Sequence, residues 1–283
     1  MTDHGPQDSA SPGPSSTQPL LSHSLAEQSA FTPDDLVAAV RRGRGLDDGQ
    51  VPPLCVLEFD GDLTDKLIER GLVRECDSWP CFHTRMWLWP AEEPRCGIVA
   101  RTIGGPYAVL VAEQLAVCGA QVVVGLASAG RVSRQLPLPS VVVADEAIRD
   151  EGTSYHYLPP ARRVKGAGWV ADALENALPE VGLAVRRGLV WTTDAPYRET
   201  PSQLSAHAGE GALAVEMQAA SLFAFGRRQE FPVGLVAHVT NAADHDGEDF
   251  DKGPADADIS ILRAICRGVG GSGFAHPTNA SGE

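Results

Sequence analysis

The polar residues that could carry chemistry in this sequence lie mostly where apolar segments begin or end. In the segment GALAVEMQAASLFAFG, residues 211–226, Glu216 and Gln218 flank Met217 beside a run that is apolar on almost every side. Such a run predicts a buried helix, and buried polar groups need hydrogen-bond partners. Residues two apart point in nearly opposite directions on a helix. Glu216 and Gln218 can therefore share a ligand only if the backbone here is not yet helical.

Small residues follow two other apolar segments. Gly104 and Gly105 come after CGIVARTI and precede a proline, which predicts a tight turn into a helix. Its exposed N–H groups could hold an anion or a hydroxyl; a plain strand-to-helix turn is the alternative. Ser128 lies between two alanines at the end of AQVVVGLAS, where it could contact a ligand or serve only close packing.

Two further segments end in polar side chains. Tyr197 and Arg198 follow the run AVRRGLVWTTD, and a stacking platform or an ordinary surface tyrosine are both compatible with that position. Asn241 ends the run FPVGLVAHVTN and is followed by an acidic stretch, residues 244–251, which lacks the glycine position of an EF-hand loop.

These segments belong to an alternating pattern of apolar, β-branched runs and amphipathic helices. The pattern predicts one α/β domain with a central mixed, mostly parallel sheet flanked by helices. We place the domain at residues 30–268, between Ser-, Pro- and Gly-rich tails predicted to be disordered, 1–29 and 269–283. In such sheets, ligands usually bind at the carboxyl ends of strands, where the polar residues above are found.

Composition limits the partners. The formal net charge of −14 and the lack of a Lys/Arg cluster argue against nucleic acid and against an anionic membrane surface. No run reaches the roughly 18 apolar residues of a membrane span, and no signal peptide is evident. The six cysteines contain no CxxC pair and suit reduced core thiols, which favours a cytoplasmic protein without a metal site.

Taken in order, the segments TIGGP, GLASAG, EAIRDEGTSYHY, TTDAPYRE, AVEMQAASLF and VAHVTN resemble the nucleoside phosphorylase family. This family contains uridine phosphorylase, hexameric purine nucleoside phosphorylase and the methylthioadenosine nucleosidases. The resemblance covers roughly residues 54–241. It implies a single α/β domain that cleaves the N-glycosidic bond of a nucleoside, and a homo-oligomer, either dimer-based or hexameric.

The resemblance also implies residue roles in binding the nucleoside. Glu216, Met217 and Gln218 match the family's Glu-Met-Glu run: Met217 would pack under the ribose and Gln218 would hold its 2′- and 3′-hydroxyls. Tyr197 would border the base, with Arg198 reaching its carbonyls. Asn241 stands where the purine enzymes of the hexameric type have a proton-donating aspartate; an asparagine can hydrogen-bond a base but cannot protonate it.

The phosphate site departs from the family's pattern. The turn that should read Gly-Asp-Pro-x-Arg begins at Gly61 and ends in Asp65, and a second arginine aligns with Gly125; Ser128 remains. A carboxylate opposed to phosphate at ~4 Å costs about 4 kcal/mol at a surface-like dielectric. Another arginine, such as Arg131, Arg134 or Arg149, could restore the site. Alternatively, water could replace phosphate, with a carboxylate near Asp62 or Asp65 as general base.

Three functions follow from these residues. The first is phosphorolysis of a nucleoside to free base and (deoxy)ribose 1-phosphate, with phosphate as co-substrate, no cofactor, and Asn241 and Gln218 as catalytic residues. The second is a hydrolase of the same fold. The third is a nucleoside-binding relative without turnover.

Overall fold

The computed structural model describes residues 19–244 and 253–270. Seven α-helices lie within them. Their bounds are α1 Pro33–Arg44, α2 Asp62–Glu69, α3 Gly105–Val117, α4 Gly168–Ala177, α5 Pro201–Gly209, α6 Ala219–Arg228 and α7 Ala257–Gly270. Most of the acidic stretch after Asn241 lies outside the described residues.

Ten strands form one sheet in the same part of the chain. Their bounds are β1 Leu54–Glu58, β2 Arg74–Glu75, β3 Met86–Trp89, β4 Cys96–Ala100, β5 Val122–Arg131, β6 Ser140–Asp150, β7 Arg163–Lys165, β8 Ala184–Thr193, β9 Ala214–Glu216 and β10 Val233–Ala242.

Strand β5 organises the sheet because it is long enough to have three neighbours. One edge pairs with β10, and the other pairs first with β1 and then, at Gly130 and Arg131, with β9. Strands β10, β6, β8 and β9 are also paired in that order, so five strands close into a ring, while β1, β4, β3 and β2 extend the sheet outward. The carboxyl ends of β5 and β10 lie side by side, because these strands are parallel.

Helices cover both faces of the sheet. Helices α1, α3 and α6 share one buried apolar cluster with the strands, and α2, α4 and α7 share another. Helix α5 packs at a third, smaller cluster around Trp191. All six cysteines are buried and unpaired. In the described residues, no helix is long and apolar enough to cross a membrane.

The predicted fold class is confirmed: an α/β domain around a mixed sheet. The predicted helix over residues 211–226 is wrong in its first half. Ala214–Glu216 form β9, and the helix begins only at Ala219. The apolar run contains two elements because its first residues fill the gap in the ring between β5 and β8, where backbone pairing decides the conformation. Sequence patterns missed α5, β2 and β7 as well.

Part of the predicted amino-terminal tail contacts the domain. The guanidinium of Arg228 donates to the carbonyl of Leu25 over 2.8 Å, and the ring of His23 stacks on that of His156 at 4.9 Å between centroids. Residues 1–18 and 271–283, which make up most of both predicted tails, lie outside the described residues.

Close contact between α4 and α7 gives a test of the fold. A Cβ at Gly268 would lie 2.7 Å from the carbonyl oxygen of Ala173 and 2.8 Å from the Cβ of Ala177. We expect Gly268→Ala to lower the free energy of unfolding by about 1–3 kcal/mol, since overpacking forces these helices apart. Chemical denaturation measures it.

The matched control is Gly43→Ala in α1, where a Cβ meets nothing within 4 Å. Replacing this helical glycine should raise the free energy of unfolding by about 0.5–1 kcal/mol. Equal effects of the two substitutions would contradict the α4–α7 packing.

Candidate functional site

The carboxylate of Glu216 fixes the turn between β9 and α6. Its Oε1 accepts the hydroxyl of Thr192 on β8 over 2.5 Å, and its Oε2 accepts the N–H groups of Gln218 and Ala219 over 2.6 and 2.9 Å. The second pair satisfies backbone donors that the first turn of a helix otherwise leaves without partners. One buried side chain therefore joins two strands and a helix at a single point.

Burial governs the titration of this group. Desolvation raises the pKa of Glu216 to about 7, although the hydrogen bonds from Thr192, Gln218 and Ala219 act to lower it, and the nearby Glu151 raises it further. Its ordinary value is 4.5. The hydrogen bonds favour the ionised form, and desolvation outweighs them.

The backbone at Gln218, in the turn that Glu216 fixes, is not helical. Glu216 and Gln218 could contact the same ligand only if this was so. Gln218 is the N-cap residue of α6, with φ −138° and ψ −30°, and its side chain makes no capping hydrogen bond. Instead, its Oε1 accepts the N–H of Met217 over 3.2 Å. Val215 pairs with Gly130 on the antiparallel β5, so the chain runs on from there toward Ser128.

Asn241 occupies the neighbouring strand end. A bulge in β10 between Val239 and Asn241 places Asn241 opposite Gly130 of β5. The Asn241 amide is buried and held locally: its Nδ2 donates to the carbonyl of Ala242 over 3.0 Å, and its Oδ1 accepts the hydroxyl of Thr240 over 3.3 Å. Of the predicted site residues, the structure thus gathers Ser128, Met217, Gln218 and Asn241 around the end of β5.

Gly104 and Gly105 position a helix. Gly104 is the N-cap of α3 with φ 89°, and a Cβ on Gly105 would collide with the side chain of Ser221 on α6. The hydroxyl of Ser221 donates to Oε2 of Glu151 over 2.5 Å. Glu151 is buried, and its other oxygen has no hydrogen-bond partner among the described residues. The two glycines let α3 approach this cluster.

Two of the three arginines considered for the phosphate site are engaged elsewhere, while Arg131 is half-buried at the end of β5, paired with Ala214 of β9. Arg149 is buried and donates to Ser154 Oγ and to the carbonyls of Pro159 and Leu158, so it holds the segment after β6 and we leave it out of the proposed site. Arg134 forms a surface ion pair with Asp244 at 3.6 Å.

Tyr197 and Arg198 stand apart from the other predicted residues. Both lie in the 3₁₀ turn after β8 and both are exposed; the side chain of Tyr197 is 99% exposed. Within this chain, the structure does not bring them to the end of β5.

Sequence reasoning missed four residues around Gly61. Glu58, Phe59 and Asp60 precede it, and the side chain of Arg101 lies against it and pairs with Asp65. Glu58 carried a usable signal, because a carboxylate inside the apolar run LCVLEF is buried and needs donors. There was no such signal for Arg101 in the sequence. Its side chain reaches Gly61 from a left-handed backbone conformation, with φ 61°, which the sequence pattern does not predict.

A cavity of about 200 Å³ opens beside these groups. Its walls include Ser128 and Ala127 of β5, His238 and Thr240 of β10, and Glu58 and Asp60. Of the predicted nucleoside-binding residues gathered at the end of β5, Ser128 lines this carboxylate-rich space, whereas Met217, Gln218 and Asn241 are not among its wall residues.

Comparison with known proteins identifies the class. The profile of the phosphorylase superfamily matches residues 54–264, so the chain belongs to this superfamily. The fold is that of uridine phosphorylase from Vibrio fischeri, with a TM-score of 0.61 at 21% identity over 78% of this chain and 90% of that one.

The relatives found by sequence match only part of this chain and share less than a third of the aligned residues with it. The chain is 28% identical to guanosine phosphorylase of Halorubrum lacusprofundi, over 59% of this chain and 71% of that protein. It is 28% identical to uridine phosphorylase of Treponema pallidum, over 51% and 60%, and 26% identical to the uncharacterized protein R802 of Acanthamoeba polyphaga mimivirus, over 53% and 58%. The chain spans about three fifths of the length of two of these relatives.

The raised pKa of Glu216 predicts a pH dependence of stability. In the folded state the group holds its proton up to about pH 7, whereas the unfolded chain releases it near 4.5. The free energy of unfolding should therefore fall as pH rises through this window. Glu216→Gln keeps the size but cannot ionise, so its stability should fall less over the same range. Urea denaturation at several pH values measures both slopes, and identical slopes would contradict the buried titration.

Proposed function

We propose that this protein cleaves the N-glycosidic bond of a nucleoside and releases the free base. The observation that carries the proposal is the non-helical Met217–Gln218 turn, anchored by Glu216 and directed toward Ser128 on β5. Membership of the phosphorylase superfamily supports a nucleoside phosphorylase-type enzyme.

Met217 and Gln218 form the proposed sugar subsite. Gln218 is buried and Met217 half-buried, so a ribose seated here would be shielded from water on one side. An amide offers one acceptor and one donor to the sugar hydroxyls, whereas a carboxylate would accept from both. The neutral amide also gives less stabilisation to the positive charge that develops on the sugar as the bond breaks.

Asn241 is proposed to hold the base. Its amide is buried at the end of β10 and, among the described residues, it is hydrogen-bonded to Thr240 and Ala242 of its own strand. An amide can both donate to and accept from the edge of an oxopyrimidine or an oxopurine.

We also propose that the protein is a homo-oligomer. Tyr197 and Arg198 lie in the exposed turn after β8, so they would contact a base in the site of a neighbouring subunit. Light scattering after size-exclusion chromatography tests this.

Two molecules could take the sugar when the glycosidic bond breaks, inorganic phosphate or water, and both are compatible with this site. The names of the relatives favour phosphate, which would yield (deoxy)ribose 1-phosphate. Water is favoured by the carboxylates that line the cavity. Neither reaction needs a metal or organic cofactor. A protein that binds nucleosides without turnover is a further candidate, favoured by Gln218.

Base release tests the proposal. The purified protein is incubated with uridine, inosine, guanosine, adenosine and their 2′-deoxy forms, each with and without inorganic phosphate, and free base is measured by chromatography. Release from at least one nucleoside is expected. Tight nucleoside binding without release would support the non-catalytic candidate instead.

Replacing Gln218 tests the sugar subsite. Gln218→Ala removes the amide that contacts the ribose hydroxyls, and we expect kcat/KM for a ribonucleoside to fall about 10–100-fold, the loss of one or two hydrogen bonds at about 1.5 kcal/mol each. The matched control is Gln229→Ala, an exposed glutamine at the other end of α6. Equal kcat/KM values for the two variants would remove Gln218 from the site.

A further inference from the structure

The backbone donors of the turn before α2 are already occupied by a carboxylate of the same chain. Glu58 Oε1 accepts the N–H of Gly61 over 2.6 Å, and Oε2 accepts the hydroxyl of Thr64 over 2.9 Å and its N–H over 3.4 Å. Glu58 is 3% exposed. An anion could reach these donors only by displacing a buried carboxylate.

A second carboxylate occupies the donor on the facing strand. Asp60 Oδ2 accepts the backbone N–H of Ser128 over 3.2 Å. Both residues line the cavity, but Asp60 is exposed whereas Glu58 is buried beneath the turn. The turn and the strand end that would hold phosphate between them are thus joined by carboxylates.

The position that aligns with the family's second arginine is closed as well. A Cβ on Gly125 of β5 would lie 2.8 Å from the ring of Phe59, which is buried, so this ring fills the space that a longer side chain would need. Arg101 reaches the turn, but it pairs with Asp65 at 2.5 Å.

The charge of the cavity wall has the same sign as phosphate. The acidic residues that line it are Glu58, Asp60, Asp62, Asp256 and Asp258. Lys66 also lines it and pairs with Asp258 at 2.6 Å. A dianion entering this space would meet several carboxylates at close range, whereas water would meet acceptors that can orient it.

We infer that the sugar acceptor is water and that the carboxylate of Asp60 is its general base. This inference rests on the proposed nucleoside cleavage. The bond between C1′ and the base nitrogen breaks with its electron pair going to the base. The water oxygen bonds to C1′ and its proton passes to Asp60, and the departing base takes a proton from solvent. The products are free base and free pentose, and no oxidant or other co-reactant is required.

The test identifies the sugar product. The wild-type protein is incubated with each nucleoside, with and without inorganic phosphate, and the sugar product is analysed by mass spectrometry. We expect base release that is independent of phosphate, with free pentose and not pentose 1-phosphate as the product. Inorganic phosphate should not raise the melting temperature of the protein, since a ligand that does not bind gives no stabilisation.

Two variants test whether Asp60 is the general base. Asp60→Asn keeps a side chain that can remain beside Ser128 but cannot take a proton, and it should lower the rate of hydrolysis about 10²–10⁴-fold. Asp48→Asn, at an exposed aspartate outside the cavity that pairs with Arg41 at 3.5 Å, should leave the rate unchanged. Thermal unfolding of both variants shows whether either has lost its fold.

The outcomes separate the two proposals. Base release only with phosphate, and pentose 1-phosphate as the product, would overturn the water acceptor and leave the proposed function standing. Hydrolysis that survives Asp60→Asn would overturn the role of Asp60. No base release from any nucleoside under either condition would overturn the proposed function itself.

Discussion

The site depends on burying one carboxylate, that of Glu216, among donors from three elements. It accepts from a hydroxyl on β8 and from the N–H groups of Gln218 and Ala219, where the chain that has left β9 enters α6. Without it, the opening donors of α6 would be buried without partners, at a cost of about 1–3 kcal/mol each. The non-helical step that orients Met217 and Gln218 follows from this contact.

The closed ring of strands explains why this contact can exist. Strand β9 is only three residues long, yet it completes the ring by pairing with β5 on one side and β8 on the other. Its end therefore lies between Thr192 and the end of β5. Packing of α3 through Gly105 against Ser221 then holds the amino-terminal half of α6 in place. Ring closure, the helix start and the sugar subsite form one connected arrangement.

Sequence patterns predicted the α/β class, the buried helix and the strand ends because these depend on local periodicity. They failed at β9, where an apolar run of helical composition pairs as a strand for reasons of topology. The requirement for a non-helical step between Glu216 and Gln218 was predictable from side-chain directions alone. The contacts of Asp60 with Ser128 and of Arg101 with Asp65 were not, since each joins residues at least 36 positions apart.

The most direct measurement is a crystal structure of the protein with a nucleoside analogue that cannot be cleaved. We predict that the ribose lies over Met217, with its hydroxyls within hydrogen-bond distance of the Gln218 amide, and that the base of the analogue lies toward Asn241. An analogue bound elsewhere, or one whose sugar makes no contact with the Met217–Gln218 turn, would contradict it.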